Sequence, residues 1–243
     1  MYIDFTGKTA LVTGGTRGIG KSIVTILIDA GCTVIYTGTQ KKPELPIENA
    51  LYKQLDLSDK KSIDQFIKNV LNNTKKIDIL INNAGINIIE SIDELDEENW
   101  QKILDVNLTG PMLLTREISK KMKKNNKGGK ILNISSIFGC VSKAKRNSYS
   151  ASKTALIGLT RASALDLAPY KILVNALCPG FTSTELTMSI LSKEEIRKIS
   201  KQIPLGRFAK VEEIAKTAIF LCSDLNCYIT GQTLIVDGGF VSK

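Results

Sequence analysis

The chain has 243 residues, 43% of them hydrophobic, a formal charge of +9 and no histidine. That length and apolar fraction can bury a large core, and α/β chains of this size are commonly one domain. The missing histidine excludes Ser-His-Asp hydrolysis and H-E-x-x-H zinc chemistry, and the cysteines (Cys32, Cys140, Cys178, Cys222, Cys227) form no C-x-x-C pair, so no metal site is expected.

The N-terminal M-Y-I-D-F-T-G-K runs into an apolar, strand-like segment without a basic n-region or a long apolar h-region. Neither a signal peptide nor a membrane span is expected, and the cytoplasm is the default location. Strands are expected at 9–13, 33–37, 77–81, 130–134, 172–176 and 233–237, and helices at 18–30, 60–73, 96–125, 149–167, 193–201 and 211–221. This βαβ alternation predicts an α/β fold: a single-domain, Rossmann-like, doubly wound parallel sheet with helices on both faces, spanning 1–243. Two prolines between Thr39 and Leu51 argue against a full helix there.

Immediately after the first strand comes T13-G-G-T-R-G-I-G20, leading into an apolar-periodic helix. Glycines at such a turn let the backbone approach a pyrophosphate, which the helix N–H groups and dipole then neutralise. Gly14, Thr16, Arg17, Gly18, Ile19 and Gly20 are therefore candidates for binding a dinucleotide. At the end of the second strand an acid would select NAD by holding the ribose 2′-OH. This chain has Thr37-Gly38-Thr39-Gln40 there, and Arg17, Lys41 or Lys42 can meet a 2′-phosphate; NADP(H) is favoured over NAD(H), with Thr39 facing the cofactor.

Lys120, Lys121, Lys123, Lys124, Lys127 and Lys130 cluster in a short span that reads as a solvated face or as a docking patch for an acidic partner. No aromatic residues interleave with them, so nucleic acid is not expected.

The stretch N147-S-Y-S-A-S-K-T-A-L156 offers three readings: an amphipathic helix, an S-x-x-K acyl-enzyme at Ser150 and Lys153, or a redox acid. The S-D-N and K-T-G partners of S-x-x-K chemistry do not occur in the chain. Tyr149 and Lys153, at i and i+4, share one helix face. A phenol with pKa about 10 keeps its proton at neutral pH, and a nearby cation is expected to lower that value, each unit being worth about 1.4 kcal/mol. Tyrosine is left as the acid that protonates a carbonyl oxygen as hydride reaches its carbon.

With the glycine turn, Asp56-Leu57, N82-N-A-G85, Asn107, Ser136, Y149-S-A-S-K153 and Pro179-Gly180 in order, the whole chain resembles the classical short-chain dehydrogenase/reductases. Through N107-L-T-G, Y228-I-T-G-Q and V236-D-G-G239 it looks most like their 3-oxoacyl-acyl-carrier-protein reductases. The resemblance implies a catalytic set of Asn107, Ser136, Tyr149 and Lys153, with Ser136 donating to the substrate carbonyl and Ser135 structural. It also implies that Lys153 holds the nicotinamide ribose and that Asn107 belongs to a proton-returning water relay. Pro111 has no N–H, which frees the Asn107 carbonyl for that water. Asp56 and Leu57 would flank the adenine, and Asn83, Ala84 and Gly85 the adenosine ribose. Thr182 and Thr184, beyond Pro179 and Gly180, would take the carboxamide and phosphates.

Residues 181–207 would be the substrate lid, lined by Met188, Ile190 and Leu191, and relatives are usually homotetramers. The short connection after the second strand, and Lys171 where the family usually places glycine, are departures from the pattern. A carbonyl on acyl carrier protein is the first substrate reading and a sugar or polyol the second. A non-catalytic redox sensor is the third, although a pure sensor has no use for a primed acid.

Overall fold

The computed structural model describes residues 3–242, apart from the side chains of Leu186 and Ile190. Seven parallel strands form one sheet: β1 (Thr9–Val12), β2 (Thr33–Gly38), β3 (Ala50–Gln54), β4 (Ile79–Asn82), β5 (Gly129–Ile134), β6 (Ile172–Pro179) and β7 (Thr233–Val236). Their order is β3-β2-β1-β4-β5-β6-β7. Among the described residues eight α-helices accompany them: α1 (Gly18–Asp29), α2 (Lys60–Phe66), α3 (Glu97–Leu104), α4 (Gly110–Asn125), α5 (Asn147–Leu167), α6 (Glu185–Ile190), α7 (Lys193–Ser200) and α8 (Val211–Cys222).

Both sheet faces are apolar because side chains alternate along each strand. Ala10, Val12, Ile79 and Ile81 face α1 and α8, packing on Ile23, Val24, Leu27, Ile214 and Ala218. Leu11, Leu80 and Ile131 face the other way, onto Ile63 and Phe66 of α2, Leu114 and Ile118 of α4, and Ala164 of α5. The pairing Ala10↔Ile79, Leu11↔Leu80 and Val12↔Ile81 keeps the two sets in register. β1 has β2 on one side and β4 on the other, so the winding reverses there, and in open α/β sheets ligands bind outside the strand C-termini at that point.

The structure departs from the expected elements in three places. β3 was not anticipated; it is an edge strand of the half-exposed residues A-L-Y-K-Q, paired to β2 from Val34↔Ala50 to Gly38↔Gln54. The helix expected over 96–125 is α3 and α4 joined by a π-helical turn, Asp105–Thr109. The Gly110 N–H reaches five residues back to the Asp105 carbonyl, so the helix widens ahead of Pro111 rather than breaking. A π turn of the same length, Ile67–Leu71, likewise ends the segment expected as one helix over 60–73. Lys171 has φ 58°, in the left-handed region where glycine carries no Cβ penalty, which is the physical reason a glycine suits that position.

Candidate active site

The glycine turn is built by neighbours that tolerate no side chain. Thr13 is buried, and its Oγ1 accepts from the backbone N–H groups of Asn83 and Ala84, each at 3.0 Å. Asn83 returns the contact, its Nδ2 donating to the carbonyls of Thr13 at 2.9 Å and Gly14 at 3.0 Å. Gly14 has φ 64°, and a Cβ there would sit 2.9 Å from the Ala84 Cα. A Cβ on Gly20 would collide with the Gly14 carbonyl, so α1 starts hard against the turn.

The first turn of α1 has no acidic residue, and its cap, Arg17, contributes no side-chain hydrogen bond. Its N–H groups therefore keep their capacity for an anion. Arg17 is exposed. The turn leans on the end of β2, where a Cβ on Gly38 would lie 2.8 Å from Thr16 Cγ2. Thr184 closes the other side, 3.4 Å from a Cβ placed on Gly18, and a cleft of about 310 Å³ separates α1 from Thr184 and Glu185. A larger hollow of about 610 Å³ lies beside Trp100 and holds none of these residues. Uncapped N–H groups, a bare glycine cradle and the switch-point location fit a dinucleotide, which would supply the hydride when bound.

Several expected contacts are already spent on structure. Ser58 donates to the Asp56 carboxylate from its N–H at 2.9 Å and from its hydroxyl at 2.6 Å. The Leu57 side chain is buried, 3.0 Å from a Cβ on Gly110, and so is held in the core. The Thr182 hydroxyl donates to the Gly180 carbonyl at 3.0 Å, while Thr184 caps α6 by accepting from the Thr187 N–H at 3.1 Å. Gly180 in turn is pinned to β7 through the Val236 carbonyl at 2.9 Å.

At the same sheet edge, past β5, stand the catalytic candidates. The Ser136 Oγ accepts from the Phe138 N–H at 3.1 Å, leaving its proton to donate, and its hydroxyl is close enough to the Tyr149 phenol to favour the ionised form. Ser135 donates to the Lys153 carbonyl at 2.9 Å, the structural role expected of it. Lys153 is buried, with Nζ 2.9 Å from the Ile134 carbonyl and 5.8 Å from the Tyr149 ring centroid. Asn107 is fully buried and acts as a staple. Its side chain accepts from the Ile86 N–H at 2.9 Å, donates to the Ile86 carbonyl at 2.9 Å and reaches Ser152 at 3.1 Å. It thereby fixes the loop after β4 against α5. Gly85 completes the site, since a Cβ there would lie 3.2 Å from Lys153 Nζ. Ser150 is paired with Ser142 at 2.8 Å while Lys153 points at Ile134, so the S-x-x-K contact is not formed.

The electrostatics correct one expectation. The Tyr149 phenol is held above, not below, the ordinary tyrosine value: burial raises it, and the Ser136 hydrogen bond and the Arg146 charge only partly oppose that. Lys153 is itself pulled down to about 8 by burial. The cation acting on the phenol is Arg146, three residues upstream, which also lies over the Phe138 ring at 5.8 Å.

Arg146 and an aromatic wall carried no sequence signal. Phe138 stands edge-on to Tyr149 (centroids 6.5 Å) and to Phe181 (6.1 Å), and Phe181 packs on Phe208 and Phe240. The aromatic spacing follows neither helix nor strand period, and only the fold gathers these rings. Residues 181–207, the expected lid, contain α6 and α7; Met188 is 48% exposed there, and the Ile190 side chain lies outside the described residues. The lysine cluster is at the C-terminal end of α4 and the start of β5, the opposite sheet edge from the site. Four of its members are engaged: Lys120 with Glu117, Lys121 with the Thr74 carbonyl, Lys123 over Tyr170 and Lys130 with the Asn226 carbonyl.

A doubly wound sheet with a glycine cradle and a Ser-Tyr-Lys cluster at one edge defines a dinucleotide-dependent oxidoreductase of the α/β class. Residues 14–241 match the family profile described as Enoyl-(Acyl carrier protein) reductase. The chain is 42% identical over 248 residues to a 3-oxoacyl-[acyl-carrier-protein] reductase of Aquifex aeolicus, covering 98% of this chain and 99% of that one. It is 35% identical over 245 residues to an NAD-dependent glycerol dehydrogenase of Listeria innocua, covering 99% and 96%. A crystal structure of a short-chain type dehydrogenase/reductase from Mycobacterium marinum superposes with TM-score 0.92 at 29% identity over 99% of this chain and 98% of that one. The chain belongs to the short-chain dehydrogenase/reductase family. Among the described residues no helix is long and apolar enough to cross a membrane.

Proposed function

We propose that the protein is an NADPH-dependent 3-oxoacyl-[acyl-carrier-protein] reductase of fatty acid synthesis, with Tyr149 as general acid. The carrying observation is that Ser136, just past β5, acts on the Tyr149 phenol at the same sheet edge that carries the glycine turn. Two converging O–H donors suit one oxygen that gains negative charge as its carbon is reduced. A phenol raised above its ordinary value keeps its proton at neutral pH, which favours the reductive direction. Lys153 holds the ribose, and proton return runs through it and a water at the Asn107 carbonyl. The Aquifex relative supports the carrier-bound substrate. The carrier would meet the site edge rather than the lysine cluster, because 16-residue α4 sets the two about 24 Å apart at 1.5 Å per residue. Exposed Leu165 on α5 and Leu234 on the uncovered edge strand β7 suit assembly into a homotetramer.

The glycerol dehydrogenase relative favours a second reading, a polyol or sugar oxidoreductase. Purified protein with NADPH and NADH against acetoacetyl and crotonyl thioesters, and with NADP⁺ and NAD⁺ against polyols, separates them. NADPH consumption with the acetoacetyl thioester alone is the expected result. Turnover of crotonyl thioester would move the chemistry from a carbonyl to an alkene, and turnover of polyols only would establish the second reading.

The preference for NADPH rests on Arg17 and on the lack of an acid at Thr39. Arg17→Ala is expected to weaken NADPH binding about tenfold, or about 1.4 kcal/mol, with NADH binding unchanged. Equal loss for both cofactors, measured by fluorescence titration, would remove Arg17 as the selector.

A further inference from the structure

Two thiols meet at the back of the site. Cys140 is exposed and closes the Ile137–Gly139 turn that begins at Ser136; Cys178 is buried, next to last in β6. Their sulfurs are 4.0 Å apart. Cys178 also lies within electrostatic reach of both Tyr149 and Lys153.

We propose that Cys140 and Cys178 form a redox-modifiable pair, closed to a disulfide by hydrogen peroxide and reopened by a thiol, and that the closed form is inactive. The exposed sulfur reacts first. The Cys140 thiolate attacks one peroxide oxygen, the O–O bond breaks, and a sulfenic acid and hydroxide result. The Cys178 sulfur then attacks the sulfenic sulfur, the S–S bond forms as the S–O bond breaks, and the thiol proton leaves in water. Two electrons pass from the pair of thiols to one peroxide, giving two waters overall. Burial and the neighbouring thiol push the Cys178 pKa up to about 12 and keep it unreactive toward the oxidant itself, while its place 4.0 Å from the Cys140 sulfur is what allows the second step.

Closing the pair must disturb the site. The sulfurs have to approach to about 2.05 Å. Cys178 is held in a strand paired on both sides, with Cys178↔Ile235 on β7 and Leu177↔Ile134 on β5. The turn has little slack toward α5, because a Cβ on Gly139 would already lie 2.9 Å from the Lys153 carbonyl and 2.9 Å from Ser135 Oγ. The displacement falls on the segment that carries Ser136.

The test treats the purified full-length protein with hydrogen peroxide and maps its peptides without reductant. The expected result is a Cys140–Cys178 crosslink lighter by two hydrogens, with carbonyl reduction lowered about tenfold and restored by dithiothreitol. Cys140→Ser should keep its basal turnover and resist peroxide. Cys178→Ala should stop at a dimedone-reactive sulfenic acid on Cys140. An equal loss of activity in Cys140→Ser, a crosslink through exposed Cys227, or a Cys140 sulfinic acid with no crosslink would overturn the proposal. Peptide mapping reads the bond whichever carbonyl the enzyme prefers, so failure of the substrate reading and failure of the thiol pair are separate results.

Discussion

Tyr149→Phe is expected to lower carbonyl turnover about 10²- to 10⁴-fold, the range that a positioned general acid contributes, while leaving NADPH affinity within a factor of about two. The substitution removes one hydroxyl and keeps the ring, so the edge contact with Phe138 and the helical backbone of α5 persist. What disappears is the hydroxyl proposed as the proton donor, on which Ser136 acts. Because the phenol is raised by burial, its proton is in place through neutral pH, and no ionisation of Tyr149 limits reduction there. Stopped-flow turnover and equilibrium NADPH titration on the same preparation check both halves. A parallel loss of affinity would make Tyr149 a binding residue, and a turnover loss under about tenfold would pass the acid's role to another group.

The fold was legible where periodicity was strong. The apolar runs at β1, β4, β5 and β6 are buried on both faces and read as strands from sequence alone. β3 was silent because only its inner residues are partly covered, and A-L-Y-K-Q carries too few apolar side chains to mark a strand. It is held by its ladder to β2, a long-range contact that no local pattern encodes. The site was legible as letters but not as physics. Helical spacing brought Tyr149 and Lys153 to one face, yet spacing could not tell where the amine would point. It turns to the Ile134 carbonyl at the end of β5, and Arg146, unremarkable in sequence, becomes the cation that acts on the phenol. Asn107 shows the same limit. Its place before Pro111 suggested a free carbonyl, while the fold put its side chain to work fastening Ile86.

Lys153→Met is expected to abolish reduction and weaken NADPH binding, and also to make the protein more stable at pH 7. Lys153 is 3% exposed, its amine has one protein acceptor, the Ile134 carbonyl at 2.9 Å, and no carboxylate offsets its charge. Burial lowers its pKa from 10.5 to about 8, so the folded protein binds fewer protons than the unfolded chain between those values. Stability therefore rises with pH across that window, and the cost of the buried ammonium is fully present below it. That cost is about 3 kcal/mol at most, against about 1 kcal/mol for the hydrogen bond to Ile134 that methionine forfeits. The variant should thus gain about 1–2 kcal/mol at pH 7 in urea unfolding. The advantage should shrink above pH 8 and reverse toward pH 10.5, where the amine is neutral in the folded and the unfolded chain alike and still donates to Ile134 in the fold. Tyr149 is common to both proteins, so its own titration cancels from the difference. A buried cation kept at a cost to the fold implies that a ligand supplies its remaining partners. A variant less stable at every pH would show instead that Lys153 serves the fold, and one that binds NADPH normally would detach it from the cofactor.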